Sequence, residues 1–132
     1  MWIKLRVIAV LCVGILLMSC DNGPTVTDAR AVFEKMWQKE ISSGQVKVTR
    51  FDKVDGVAGE LLGVPVYSMQ YAAEITWPKG NDIGCGQGPL ANPMYPCKTR
   101  AIGQKEEFNG TIGFQKTENG WQGEIQSNTK VN

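Results

Sequence analysis

The stretch from Val64 to Trp77 carries an apolar residue at every second position from Tyr67 onward. Tyr67, Met69, Tyr71, Ala73, Ile75 and Trp77 fall on one face, and Ser68, Gln70, Ala72, Glu74 and Thr76 on the other. A strand places successive side chains on opposite faces, so this pattern predicts a half-buried antiparallel strand with a continuous apolar face. Pro65 suits the beginning of such a strand, where a missing N–H is tolerated. An exposed apolar face with five large side chains is unstable in water, so the rest of the chain must supply a layer to cover it.

The cover is predicted just upstream. Ala29, Val32, Phe33, Met36, Trp37 and Ile41 recur at helical spacing and form one apolar stripe, opposite Arg30, Glu34, Lys35, Gln38 and Lys39. Thr25 and Asp28 have the spacing of a capping box, with Thr27 a second possible cap, and Ser42-Ser43-Gly44 supplies a stop. Met36 and Trp37 read as core packing in preference to pocket lining.

The remaining segments read as strands. Val46 and Val48 alternate with Lys47 and Thr49, and a bulge near Thr49-Arg50 would bring Phe51 onto their face. Asp55-Gly56 and Gly59 predict a loose turn before the next strand. Phe108, Ile112 and Phe114 share one face, and so do Trp121 and Ile125, with Glu118-Asn119-Gly120 between them as a hairpin signal. Gly110, Gly113 and Gly123 predict bends or a close backbone approach, and residues 127–132 a frayed end. The fold class expected is α+β: one N-terminal helix packed on a curved four-stranded antiparallel sheet, in the order α-β-β-β-β.

Residues 78–100 stand apart, with Pro78, Pro89, Pro93, Pro96, Gly80, Gly84, Gly86 and Gly88 beside Cys85 and Cys97. A loop of this length in a small domain is usually functional or disordered. Leu90, Met94 and Tyr95 are its candidate binding residues; a tolerated insertion is the alternative.

The first twenty residues give location. Lys4 and Arg6 precede an apolar run over 7–18, followed by Ser19 and Cys20. That is the layout of an export signal, and the run is shorter than the ~20 residues a membrane-spanning helix needs. Leu17-Met18-Ser19-Cys20 resembles the lipobox of bacterial lipoproteins. The resemblance implies cleavage after residue 19, a diacylglycerol on the Cys20 thiol and often a further acyl chain (such as palmitate) on the new amine. An ordinary cleaved signal or an uncleaved anchor is the alternative. The organisation expected is a signal peptide over 1–19, a lipidated cysteine and short tether over 20–24, and a single domain over 25–132. The partner implied is the bacterial cell membrane, through lipid on Cys20, with the domain facing the periplasm or the exterior. Asp21 implies retention at the inner membrane by the sorting known in enterobacteria.

Cys12 leaves with the signal and Cys20 takes lipid, so Cys85 and Cys97 remain as a pair. In an exported protein an even remainder reads as a disulfide, with two free thiols the alternative. Closing that loop would contribute roughly 3 kcal/mol.

The element order resembles cystatin-like folds and the wider group that includes nuclear-transport-factor-like domains, over about 25–126. No motif is shared. Gln45-Val46-Lys47-Val48-Thr49 lacks the glycine of the inhibitory Gln-x-Val-x-Gly tip, so protease inhibition is not implied, and the additional helices that close a nuclear-transport-factor-like pocket are missing. The hairpin from Gly110 to Trp121 looks like those of small bacterial exported proteins and brings no chemistry with it.

Function is bounded mainly by exclusion. The chain has no histidine, which removes histidine-based nucleophilic and acid–base catalysis and the common zinc sites. With 14 basic and 13 acidic residues and no basic run, it lacks the charge that nucleic acid demands. No cofactor is implied. Tyr67 and Tyr71 with Glu40 are the candidates for an acid–base pocket, against edge packing. Asp52, Asp55 and Glu60 are candidates for a weak cation site, against a solvated acidic turn. The leading expectation is a non-catalytic binding or accessory module of the envelope, engaging an envelope protein or a small ligand through the cysteine loop and the sheet edge. A carboxylate/tyrosine pocket enzyme comes second, and a structural subunit of an envelope complex third.

Overall fold

A computed structural model describes residues 23–80 and 100–132 of the chain. Its elements are α1 (Val26–Met36), α2 (Gln38–Ser42), β1 (Lys47–Leu61), β2 (Val64–Trp77), β3 (Gln104–Thr117) and β4 (Gly120–Lys130). The four strands pair antiparallel in chain order, β1-β2-β3-β4. One face of this sheet carries α1, an α+β arrangement.

The alternating segment is β2, and its parity sets the layers. Met69, Tyr71, Ala73, Ile75 and Trp77 are all buried, whereas the residues between them are not. Register then carries the same face across the sheet: Tyr67 opposes Phe114, Met69 opposes Ile112 and Ala73 opposes Phe108. Phe33 of α1 fills the centre, its ring 5.7 Å from Phe51, 5.5 Å from Tyr71 and 6.3 Å from Phe108. A fully buried side chain of this kind stabilises the fold by roughly 2–3 kcal/mol.

The helix begins as its cap predicts. Thr25 Oγ1 accepts from the Asp28 N–H at 3.1 Å, and the Asp28 carboxylate accepts from the Thr25 N–H at 2.8 Å. The stripe does not run on as one helix. Trp37 leaves helical geometry at φ −102°, ψ 14° and separates α1 from α2. Its ring is held between Trp77 and Phe108, at 6.4 and 5.6 Å, so packing at this joint overrides the local helical tendency. The stop at Gly44 holds, with φ +75°.

The β1 bulge lies where Phe51 requires it, at the register shift between Val48 and Arg50, and Phe51 is buried. A second shift falls between Lys53 and Asp55. The turn expected at Asp55–Gly59 does not form. Those residues continue the strand, Gly56 opposite Met69 and Gly59 opposite Val66, and the chain reverses at Leu62-Gly63. Gly56 serves close packing: a Cβ there would overlap the Tyr67 hydroxyl. Leu62 and Gly63 both have positive φ, 51° and 80°, the sign a tight hairpin of matching twist needs and one that leucine seldom adopts.

The hairpin at Glu118-Asn119 forms as expected between β3 and β4. The expected frayed end is instead a paired strand. Lys130 opposes Phe108 and Asn128 opposes Gly110, after a register shift beside Ile112. Gly110 allows the Tyr71 phenol to pass beneath β3, within 2.5 Å of where a Cβ would stand. The Tyr71 hydroxyl donates to Asn128 Oδ1 at 2.7 Å, which ties β2 to β4 across the intervening strand.

Candidate functional site

The helix crosses only part of the sheet. Gly23, just before α1, abuts Tyr67, and Trp37 at its far end meets Trp77. Beyond Tyr67 the two hairpins project past the helix, and this tip end of the sheet carries the candidate site.

On the face away from the helix the tip end forms an open cleft of about 690 Å³. Val57, Leu61, Val66, Ser68, Gln115 and Gln122 line it, and Gln126 lies across Gly113. Beside it runs the outer edge of β1, which pairs with no further strand among the described residues and where Val54, Val57 and Leu61 are each more than 60% exposed. The unpaired backbone of an outer strand can accept a further strand, and aliphatic side chains next to it add apolar area that such an addition would bury.

On the helix face of the same end, Lys53 Nζ donates to the Tyr67 hydroxyl at 2.7 Å and lies 5.1 Å from the ring centroid. Trp121 meets Tyr67 edge-on at 6.4 Å, and Lys116 lies over Trp121. Tyr67 is therefore a packing and hydrogen-bonding post at the start of the domain.

The three residues expected to make an acid–base pocket are not brought together. Tyr67 sits where the helix begins. Tyr71 is buried beneath Phe33 and hydrogen-bonded to Asn128, and burial pushes its hydroxyl up to about 12. Glu40 lies in α2, beyond the far end of α1, which is roughly 16 Å long. The space between helix and sheet is occupied by Phe33, Met69, Tyr71 and Ile112, each 1% exposed or less.

The acidic turn is also corrected. Asp52, Asp55 and Glu60 are strung along β1 over about 26 Å of strand. Asp52 pairs with Arg50 at 3.1 Å, and Asp55 Oδ1 accepts from the Gly56 N–H at 2.7 Å. Among the described residues no group of three acidic, cysteine or histidine side chains is arranged to hold a metal ion.

The opposite end, the base of the sheet, holds a charge cluster that the sequence reading overlooked. Glu106 is 4% exposed; it receives Arg100 Nε at 2.6 Å and Lys130 Nζ at 3.4 Å. Burial raises the Glu106 carboxyl, but the Arg100 hydrogen bond and charge, with those of Lys130, outweigh it and hold the group below its ordinary value. Arg100 also stacks on Trp77 at 4.0 Å. Parity was the available signal: counting back from Phe108 places Glu106 on the buried face. On the other face of this end the Thr49 hydroxyl, donating at 2.7 Å, and then Lys105 lower the Glu74 carboxyl.

This cluster flanks the place where the 78–100 segment leaves and rejoins the sheet. A Cβ on Gly80 would lie 2.5 Å from the Arg100 carbonyl oxygen, and the Gly80 and Gly103 N–H groups both donate to the Trp77 carbonyl. Cys20, Cys85, Cys97, Leu90, Met94 and Tyr95 lie outside the described residues. Among the described residues no helix is long and apolar enough to cross a membrane. The chain matches no family model, no curated protein and no solved structure.

Proposed function

We propose that this chain is a lipid-anchored, non-catalytic binding module of the bacterial envelope, held to the membrane through Cys20 and facing the periplasm or the exterior. Its partner is an envelope protein that presents an extended segment to the β1 edge and the neighbouring cleft. The observation that carries this reading is the contrast between a filled helix–sheet interior and an open outer side, where the β1 edge runs beside Val54, Val57 and Leu61. A strand added there gains backbone hydrogen bonds from the edge and selectivity from alternate side-chain positions.

The finer features of the reading belong together. The helix-then-four-strands order is cystatin-like, used here as a scaffold without the inhibitory tip. The Cys85–Cys97 pair is a disulfide that staples the 78–100 segment, and Leu90, Met94 and Tyr95 form a second contact at the other end of the sheet. Asp21 favours the inner membrane.

The test places a photo-crosslinking residue at Val57 in the full chain, in living cells. A discrete adduct that disappears when Ala58 and Glu60, whose N–H groups face away from β2, are both replaced by proline supports the reading. A Val57 adduct that persists with the edge blocked, or no adduct at Val57, rejects it.

A further inference from the structure

Leucine at position 62 is out of place on local grounds. It is 97% exposed and has φ +51°, in a two-residue turn where asparagine or glycine is the favoured occupant. Leu61 beside it is 65% exposed. Two adjacent leucines at a hairpin apex gain nothing from the fold's own core, so their apolar area is available to something outside the protein.

Geometry indicates what that is. The domain starts at the same end: Pro24 is buried, and Gly23 rests on Tyr67. Only Asp21 and Asn22 lie between Cys20 and Gly23, so three peptide steps give a reach of at most about 11 Å. The apex lies at the turn three residues of β2 beyond Tyr67, about 10 Å of strand. A lipid on Cys20 and the leucine apex therefore fall within reach of one bilayer surface. Tyr67 and Trp121, set just behind the apex with Lys53 and Lys116 against their rings, are residue types that favour the headgroup layer. Glu60 and Glu118 stand at the same end, so the local charge is balanced and attraction to anionic lipid is not the driving term.

We infer that the Leu61-Leu62 apex of the β1–β2 hairpin inserts into the interfacial layer of the membrane that holds Cys20, giving the domain a second, apolar point of attachment and a fixed orientation. This inference rests on the anchored reading above. A single lipid chain gives reversible binding, and a second apolar element adds to it; two contacts also remove the freedom to swivel about the tether. With the apex in the membrane, the base of the sheet is held away from the surface.

The test uses the full-length protein, purified with its native modification and reconstituted into phosphatidylcholine vesicles. An environment-sensitive fluorophore is attached at Leu62→Cys, and at Ile102→Cys as the control, since Ile102 is also highly exposed (82%) but lies at the other end of the sheet. The expected result is a blue-shifted emission at position 62 that shallow spin-labelled lipids quench and aqueous iodide does not, the reverse at position 102, and no change with salt. In unlabelled protein, Leu61→Gln with Leu62→Asn, a pair suited to the turn, should loosen attachment to the vesicles without loss of folding. A position-62 probe that stays quenchable by iodide overturns the inference, as does shielding of that probe in the Cys20→Ser protein in buffer free of lipid and detergent, which would indicate a second copy or another protein at the apex. Fractionation of a Cys20→Ser variant in cells tests the anchor separately. Release from the membrane with an iodide-accessible position 62 in the intact protein leaves the anchor standing and removes only the insertion. Unchanged attachment of Cys20→Ser removes the anchored reading, and this inference with it.

Discussion

At the base of the sheet the chain invests in closure: two tryptophans meet edge to face, Arg100 stacks on one of them, and a buried carboxylate gathers two cations. At the tips the same strands run on without a helix above them, and the distal half of β1 carries its aliphatic side chains in the open. One sheet therefore has a closed end and an open end. The difference follows from length, because α1 is 11 residues long while β1 and β2 have 15 and 14. A helix rises 1.5 Å per residue against about 3.3 Å for a strand, so this helix covers only about a third of the strand it lies on.

If the base and centre carry the stability, Phe33→Ala should have the largest effect. It empties the contact with Phe51, Tyr71 and Phe108, and chemical denaturation should show a loss of about 3–5 kcal/mol. Glu106→Gln comes next, at about 2–3 kcal/mol, because Arg100 keeps its charge in a half-buried site while its strongest acceptor is weakened. The pH dependence has a definite sign. A carboxyl held below its ordinary value stabilises the fold above that ordinary value, near 4.3, and the stabilisation is lost as pH falls through the lowered one. Acid titration of the Gln variant should lose this part of the limb, while the part due to Glu74 persists.

Thr25→Ala removes a capping hydrogen bond at the boundary between covered and uncovered sheet, and should cost about 1 kcal/mol in thermal unfolding. The smallest effect has the opposite sign. Leu62→Asn relieves a leucine at positive φ and should raise stability by about 0.5–1 kcal/mol. A base substitution that proved harmless, or a destabilising Leu62→Asn, would contradict the division between the two ends.

Much of the covered half was legible in the residues themselves. Alternation gave β2 its faces, the Thr25–Asp28 spacing gave the helix start, and the parity of Phe51 required the first β1 bulge. The failures cluster where tertiary contacts override local signals. Gly56 and Gly59 look like a turn but lie within a strand, Gly56 because the Tyr67 hydroxyl needs its space. The true turn uses Leu62, which carries no turn signal at all. Trp37 breaks the helix for the sake of two aromatic neighbours three-quarters of the way along the stripe. Residues 127–130 have no apolar pattern, and they pair because Asn128 and Lys130 find buried polar partners. For the same reason Tyr67 and Tyr71, correctly assigned to one face, were wrongly grouped with Glu40: a strand pattern gives facing, and it gives no distance to a helix end.

The Tyr71–Asn128 bond has a consequence for how the molecule comes apart. In a simple meander the last strand can peel away while the others stay folded, since it touches only its neighbour. Here a side chain rooted in the second strand grips the fourth from below the third, so detaching the C-terminal ribbon also means breaking a hydrogen bond to a buried phenol and exposing its hydroxyl. Backbone amides around residue 128 should then exchange with deuterium as slowly as those of the centre, and a protease should find no early cleavage point there.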